Sequence, residues 1–289
     1  MREIILDKWH PMGVSLDGRG GLVIAATSNY GLKGTGGLRI IPNIRQPQVH
    51  SEWSAPSAIY DVKSANQLSY AAAADGFIYQ VDQYGRLHNK VKAHEREVNR
   101  LAVNSDRLAS ASWDGTAAVW DVPSLKSVQR IKSNGAGAAV NEVAFNGPVL
   151  ACASMSGPIT IWDVRSNRQI AKVPVNDAPL TIKYSPDGRL LAFAGLDNDI
   201  HVVDTNALKP LCTMKGHYRT VRQLSWLSNT QIMSVGYDMA VRWWDVTKGL
   251  LYKSDTRFTE FVVTCDVDVH QRCAVVGSWD RKITIYDDY

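Results

Sequence analysis

Cysteine is scarce in this sequence and follows no pattern. Cys152, Cys212, Cys265 and Cys273 are the four cysteines among 289 residues, and none of them forms a CxxC pair. Four are too few for a disulfide framework in a chain of this length, so we expect buried free thiols. Long apolar runs are also missing: the run at residues 4–6 is too short for a signal peptide, and none approaches the ~20 residues that cross a bilayer. The sequence therefore predicts a cytoplasmic protein without direct membrane insertion.

Charge of one sign is not concentrated anywhere. The 32 basic and 28 acidic residues leave a net charge of +4, and no run of five or six basic residues occurs, which argues against nucleic-acid binding. None of the seven histidines lies in a His-x-His or His-Glu-x-x-His motif, so no metal site is expected. The glycine-rich residues 31–37 lack P-loop spacing and lead into a strand, which is typical of a hairpin turn. We expect no enzyme and no cofactor.

What the sequence does contain is a repeat. Short β-rich runs end in an aromatic residue or Val followed by Asp, and a seventh, degenerate copy lies at residues 38–43. The six aspartates, spaced 39 to 42 residues apart, are Asp82, Asp121, Asp163, Asp204, Asp245 and Asp287. This period resembles that of the WD-repeat family, in which each repeat forms a four-stranded propeller blade. The resemblance implies an all-β, seven-bladed WD40 propeller that spans residues 1–289 as a single domain.

Two blades carry a further mark of this family. A His opens the blade, an Asp stands in the turn before the third strand, and a Trp lies within that strand. By resemblance, the two sets that would lock their blades through buried hydrogen bonds are His94, Asp114 and Trp120, and His217, Asp238 and Trp244. His10 stands as far before Val14 as His94 stands before Val98, so the same role is expected for His10.

The two ends of the chain predict how the ring closes. The last repeat stops after its third strand, whereas residues 3–6 look like a fourth strand without its blade. The N-terminal strand should therefore complete the last blade and cover two sheet edges.

The repeat also places residues on one rim of the ring, here called the top face. The residue before the first-strand Val is Glu97 in one blade, and its counterpart in the last blade is Glu260, where Phe261 replaces the Val. The residue before the turn Asp is Trp113, Tyr237 or Trp279 in three blades. Aromatic side chains beside acids are typical of binding hot spots, although each aromatic could instead cover its own blade edge.

Several segments resemble one branch of the WD-repeat proteins more closely. They are similar to the peroxin-7 family, the receptors for the peroxisomal type 2 targeting signal. Trp53, followed by residues 59–62, is similar to the second blade of that family. The more specific segments are residues 25–32, residues 259–261 (Thr-Glu-Phe) and residues 278–280 (Ser-Trp-Asp).

This resemblance implies a receptor for peroxisomal matrix protein import, working in the cytoplasm and cycling to the peroxisome. Its partners would be cargo proteins with an N-terminal type 2 signal and an import co-receptor. Glu97 would pair with the Arg of the signal, and Glu260 would be a second acid. The apolar floor for the signal helix would consist of Trp53, Trp113, Tyr237 and Trp279. The alternatives are another WD-repeat adaptor or scaffold, such as a ubiquitin-ligase substrate subunit, or an enzyme.

Overall fold

The protein is a ring of seven four-stranded antiparallel sheets, as a computed structural model describes it for residues 1–28, 34–122, 124–132, 137–287 and 289. The described residues form strands and turns, with no helix among them, and hence none that could span a membrane. The prediction of an all-β seven-bladed propeller is confirmed. Residues 29–33 of the first-blade segment lie outside the described residues.

The strands follow one another in a simple meander. In chain order they are β1 (Arg2–Ile5), β2 (His10–Leu16), β3 (Leu22–Thr27), β4 (Gly36–Ile41), β5 (Ser51–Ala55), β6 (Ile59–Ala65), β7 (Leu68–Ala73), β8 (Phe77–Asp82), β9 (Leu87–Lys92), β10 (Val98–Val103), β11 (Arg107–Ser112), β12 (Thr116–Asp121), β13 (Ser127–Lys132), β14 (Val140–Asn146), β15 (Val149–Ser154), β16 (Ile159–Asp163), β17 (Arg168–Val173), β18 (Pro179–Tyr184), β19 (Leu190–Gly195), β20 (Ile200–Asp204), β21 (Pro210–Met214), β22 (Val221–Trp226), β23 (Gln231–Gly236), β24 (Val241–Asp245), β25 (Leu250–Asp255), β26 (Val262–Asp268), β27 (Cys273–Ser278) and β28 (Lys282–Asp287).

Each blade takes four of these strands. Blades 1 to 6 are β2–β5, β6–β9, β10–β13, β14–β17, β18–β21 and β22–β25, and blade 7 is β26–β28 with β1. The second and third strands are almost fully buried, whereas the outer strands β9 and β25 are almost fully exposed. This gradient arises because the faces of each blade pack against its neighbours, so that the apolar core lies between blades.

The N-terminal strand closes the ring, as predicted. β1 pairs antiparallel with β28, with Arg2 opposite Ile285 and Ile4 opposite Ile283. Ile4 is only 8% exposed and packs into the core between blades 7 and 1. The outer edge of β28 is thereby paired by strand β1.

The role expected for His10 is wrong. β2 begins at His10, and Pro11 pairs with Ala26 just before a β-bulge. In blade 3 Val98 stands at that point of the strand, which makes His10 the counterpart of Glu97 rather than of His94. The imidazole Nδ1 of His10 instead lies 2.9 Å from the carbonyl oxygen of Trp279 in blade 7. Counting to Val14 failed because Val14 lies three residues beyond Pro11, which is the counterpart of Val98.

Candidate protein-interaction face

One backbone hydrogen bond fixes equivalent positions on the top face. In each case the residue after the second strand of a blade donates its N–H to the carbonyl of the residue before the first strand. The bond is 3.2 Å from Trp113 to Glu97, 2.9 Å from Tyr237 to Thr220 and 2.9 Å from Trp279 to Phe261. Met155 and Leu196 donate in the same way in blades 4 and 5. Five successive blades therefore present one side chain each at the same place.

These five side chains are all large and apolar or aromatic, and we call them the apolar arc: Trp113, Met155, Leu196, Tyr237 and Trp279. Trp113 is 36% exposed, Met155 45% and Leu196 43%. Tyr237 and Trp279 are half-buried. Exposed apolar side chains scattered singly need no explanation, but an arc that crosses five neighbouring blades is typical of a surface that binds a partner.

The aromatic end of the arc is a packed group in blades 6 and 7. The ring centroids of Tyr237 and Phe261 are 4.8 Å apart, and those of Phe261 and Trp279 are 5.3 Å apart. Such packed rings hold each other in place, so they present a rigid apolar surface at little entropic cost. Sequence reasoning placed Tyr237 and Trp279 here but missed Phe261.

A second aromatic contact on this face joins blades 2 and 3. Trp113 packs on Tyr60, with ring centroids 6.1 Å apart. Tyr60 is 5% exposed and belongs to a small buried cluster with Met12, Ala58 and Ala74. The buried ring of Tyr60 therefore supports the indole of Trp113. Tyr60 was also missed from the sequence, since it follows Ile59 within the first strand of blade 2 and matches none of the turn marks.

Glu97 lies beside this aromatic pair. Its side chain is 16% exposed, and its Oε2 is 3.6 Å from Nε of Arg96. Arg96 also donates from Nη1 to the carbonyl oxygen of Trp113 at 3.3 Å. Glu97 is thus a half-buried acid with a flexible, exposed basic neighbour, which an incoming cation could replace.

The predicted position of Glu260 is wrong by one residue. Val262 begins β26 and pairs with Ser278, as Val98 pairs with Ser112 in blade 3. Phe261, rather than Glu260, is therefore the counterpart of Glu97, and Glu260 lies exposed in the preceding loop. Blade 7 has no entry His from which to count, and its loop spacing differs from that of blade 3, so the sequence could not give the register.

Trp53 is not part of this face. It lies in β5, the outer strand of blade 1, where its ring is 5.0 Å from that of Tyr79 in blade 2. It packs half-buried against the core between these blades. Trp53 therefore faces blade 2 from the outer strand of blade 1, and the structure does not bring it to the other predicted floor residues.

The two predicted blade networks have their members together, linked by a serine in each case. In blade 6, His217 Nδ1 is 2.9 Å from Asp238, and its Nε2 is 2.6 Å from Ser234 Oγ. The indole Nε1 of Trp244 donates to the same Ser234 Oγ at 2.7 Å. Blade 3 repeats the arrangement with Ser110 between His94 and Trp120. Each serine stands three residues before the arc residue of its blade, a spacing that the sequence could have revealed.

The charge states of these networks follow from their contacts. Burial lowers the pKa of His94 and of His217 below the ordinary histidine value. Burial also acts to raise the pKa of Asp114 and Asp238. Hydrogen bonds from the two histidines, together with Thr116 beside Asp114 and Arg242 beside Asp238, outweigh it and hold both pKa values below the usual range. A neutral imidazole therefore donates from Nδ1 to an ionised carboxylate and accepts at Nε2 from the serine hydroxyl. Each histidine thus has a hydrogen-bond partner at both ring nitrogens.

The chemistry of the thiols does not suggest catalysis. Burial raises the pKa of Cys152 and Cys265 to about 12 and that of Cys273 to about 11, which disfavours a reactive thiolate. Among the described residues no group of three or more His, Cys, Asp or Glu side chains is placed to hold a metal ion.

Comparison with known proteins identifies the repeats. The model of the WD domain, G-beta repeat, matches residues 85–121 and 208–245. The chain is similar to the ribosome biogenesis protein YTM1 of Coprinopsis cinerea, with 36% identity over 27% of this chain and 17% of that protein. It is also similar to the E3 ubiquitin-protein ligase COP1 of Arabidopsis thaliana, with 28% identity over 36% of this chain and 16% of that protein. SPA1-RELATED 3 of the same plant is 26% identical over 56% of this chain and 15% of its own length.

Two features of these matches bear on the site. The matched residues 85–121 and 208–245 are the ones that contain the His-Asp-Trp networks, which explains why these repeats are recognised. The chain spans less than a fifth of the length of each of the three relatives. The matches therefore support WD40 repeats, which generally serve as non-catalytic interaction scaffolds, and not the activity of any one relative.

Proposed function

Because this chain is a seven-bladed propeller with WD40 repeats, we propose that it is a protein-interaction scaffold that binds a segment of a partner protein across its top face. The observation that carries the proposal is the apolar arc, in which one large apolar side chain of each of five successive blades occupies the same position. A surface of this kind, bordered by the half-buried acid Glu97, suits a partner segment with apolar side chains and a basic residue.

Loss of the arc should remove the partner and leave the fold intact. The double substitution Trp113→Ala and Tyr237→Ala takes away two anchors from opposite parts of the arc. A matched control is Tyr84→Ala, because Tyr84 is 57% exposed in a turn at the opposite end of blade 2. Quantitative affinity purification from the cells that produce the protein should show partners lost only from the double variant, with both variants melting close to the parent. Equal partner recovery from all three proteins would contradict the proposal.

A more specific proposal is that the partner segment is a type 2 peroxisomal targeting signal, which would make the chain an import receptor. The support is local. The Thr-Glu-Phe and Ser-Trp-Asp segments that resemble the peroxin-7 family meet at the hydrogen bond from Trp279 to Phe261, within the aromatic end of the arc. Under this proposal the partners are cargo proteins and an import co-receptor, and the protein cycles between cytoplasm and peroxisome.

The specific proposal is tested with a labelled type 2 signal peptide. Its fluorescence anisotropy is titrated with the purified protein, with and without a co-receptor fragment, beside a peptide whose first Arg is changed to Glu. We expect saturable binding that the Arg-to-Glu peptide loses. Glu97→Lys should weaken binding, whereas Glu95→Lys, on the same loop and exposed, should not. Absence of binding under both conditions would refute the receptor proposal while leaving the scaffold proposal standing.

The relatives favour a second candidate of the same class. COP1 is named as an E3 ubiquitin-protein ligase, so the propeller here could present a bound substrate segment to a ubiquitin ligase. The purification experiment separates the candidates, since ligase subunits recovered with the parent and lost with the double variant would favour this one.

A further inference from the structure

Blade 5 contains a cavity that lies beside the top face rather than on it. Its volume is about 290 Å³, and it lies behind the connection between β17 and β18. The apolar part of its wall comes from Val173, Val175, Phe193, Leu208 and Pro210. The volume is near the lower end of the range in which small-ligand pockets fall.

The cavity exists because blade 5 lacks the histidine network. Phe193 stands three residues before the arc residue Leu196, where blades 3 and 6 have the linking serine, and Val175 stands where they have the entry His. The turn acid Asp197 instead meets His201 of β20, whose Nε2 is 2.6 Å from Asp197 Oδ2. The imidazole of His201 stacks on Phe193 with centroids 5.0 Å apart. The space arises mainly because Val203 stands where blades 3 and 6 have Trp120 and Trp244, and its much smaller side chain lines the cavity.

The rim of the cavity is acidic. Asp177 is exposed on the connection, and its carboxylate accepts a hydrogen bond from the backbone N–H of Ala178 at 2.7 Å. In the described part of the chain Asp177 has no ion pair, whereas Asp199, next to the cavity, is 3.3 Å from Lys215. Apolar walls beneath a free carboxylate suit a side chain that has an aliphatic stem and a positive end.

The cavity adjoins the top face. A smaller concavity of about 180 Å³ is lined by Met155 of the arc and shares residues 175–178 with the larger one. The connection between blades 4 and 5 thus separates the arc from the cavity by the width of one loop. A segment that lies on the arc at Met155 can extend a side chain over this loop.

We propose that the blade 5 cavity binds an Arg or Lys side chain of the protein segment held on the top face, with the aliphatic stem against Val173 and Val175 and the charge beside Asp177. The proposal rests on the proposed function only for the source of the side chain. The cavity itself is independent of the arc, so it can be tested without a partner.

The test uses N-acetyl-arginine amide as the probe and methyl-labelled protein observed by NMR. The expected result is a saturable shift of the methyl signals of Val173 and Val175. N-acetyl-citrulline amide has the same shape without the charge and should bind about threefold or more weakly. Asp177→Asn should weaken probe binding about threefold, as expected for one partly exposed ion pair. Asp106→Asn, at an exposed turn of blade 3 at the opposite end of the ring, is the matched control and should bind like the parent.

Two results would overturn the proposal. One is the absence of a saturable shift at Val173 and Val175 with the arginine compound, and the other is equally tight binding of the citrulline compound. Failure of the scaffold proposal looks different, because the Trp113→Ala and Tyr237→Ala variant leaves the cavity intact and should bind the probe like the parent whatever happens to its protein partners.

Discussion

At the scale of single residues, the linking serines decide whether the two histidine networks are satisfied. Ser234 accepts from Trp244 and donates to His217 in a fully buried site. Without its hydroxyl, the indole N–H of Trp244 and the Nε2 of His217 would be left buried and unpaired.

The first prediction follows from this arrangement. Ser234→Ala should lower the free energy of unfolding by about 1–3 kcal/mol, the usual cost of leaving buried polar groups unpaired. Ser105→Ala, in an exposed turn, should change it by less than about 0.5 kcal/mol. Urea unfolding of the two variants checks the difference, and equal losses would show that the hydroxyl network contributes nothing.

A second prediction concerns pH. Burial lowers the pKa of His94 and His217, so between their folded pKa values and the unfolded value of about 6.5 the unfolded chain binds more protons than the folded one. Stability should therefore fall as the pH is lowered from about 7 to about 5. The two aspartates act in a lower range, because their pKa values are depressed below about 3.9.

Urea midpoints measured across this pH range test the assignment. His217→Gln should be less stable than the parent at neutral pH but should lose less stability on acidification. A variant whose pH dependence matches that of the parent would show that other groups are responsible.

Residue positions on the top face could be predicted from the sequence only in blades that have an entry His or a turn Asp from which to count. Glu97 and Trp113 were placed correctly because His94 and Asp114 fix the register of blade 3. Glu260 was placed one residue away because blade 7 has no entry His. Tyr60 and Phe261 were noted in the repeat but not predicted as part of the surface, since their roles depend on side-chain contacts between blades, which no local spacing reveals.

At the scale of strands and blades, the sequence was sufficient for the fold. The Asp that recurs every 39 to 42 residues predicts seven four-stranded blades through its resemblance to the WD repeat. Closure by the N-terminal strand was also predictable, since residues 3–6 and the last repeat were each incomplete alone. Trp53 shows the limit of such reasoning: the resemblance placed it with the second blade, whereas it lies in the outer strand of the first.

The closing strand leads to a third prediction. Ile4 is 8% exposed and packs between blades 7 and 1, whereas the adjacent Ile5 is 69% exposed. Ile4→Ala should lower the free energy of unfolding by about 2–4 kcal/mol, the usual cost of truncating a buried Ile. Ile5→Ala should cost less than about 0.5 kcal/mol. Thermal or urea unfolding compares the two, and a similar small effect for both would mean that β1 contributes little to closure.

At the scale of the whole molecule, the ring turns small repeated features into one surface. The same backbone hydrogen bond places the five residues of the apolar arc, although their blades differ in sequence and in the presence of the histidine network. Blade 5 has no such network and instead has a cavity beside the arc. Under the two proposals, both the shared geometry of the blades and this local departure would serve binding.

The most direct test of this account is to find which face of the ring touches a partner. The photo-crosslinking amino acid p-benzoylphenylalanine replaces Trp113 or Leu196 on the arc in one set of proteins and Tyr84 at the opposite end in another, and the proteins are irradiated in the cells that produce them. We expect the same partner to be crosslinked from both arc positions, through one segment of its chain, and little adduct from Tyr84. Adducts formed mainly from Tyr84, or none from the arc, would contradict the assignment of the top face as the binding surface.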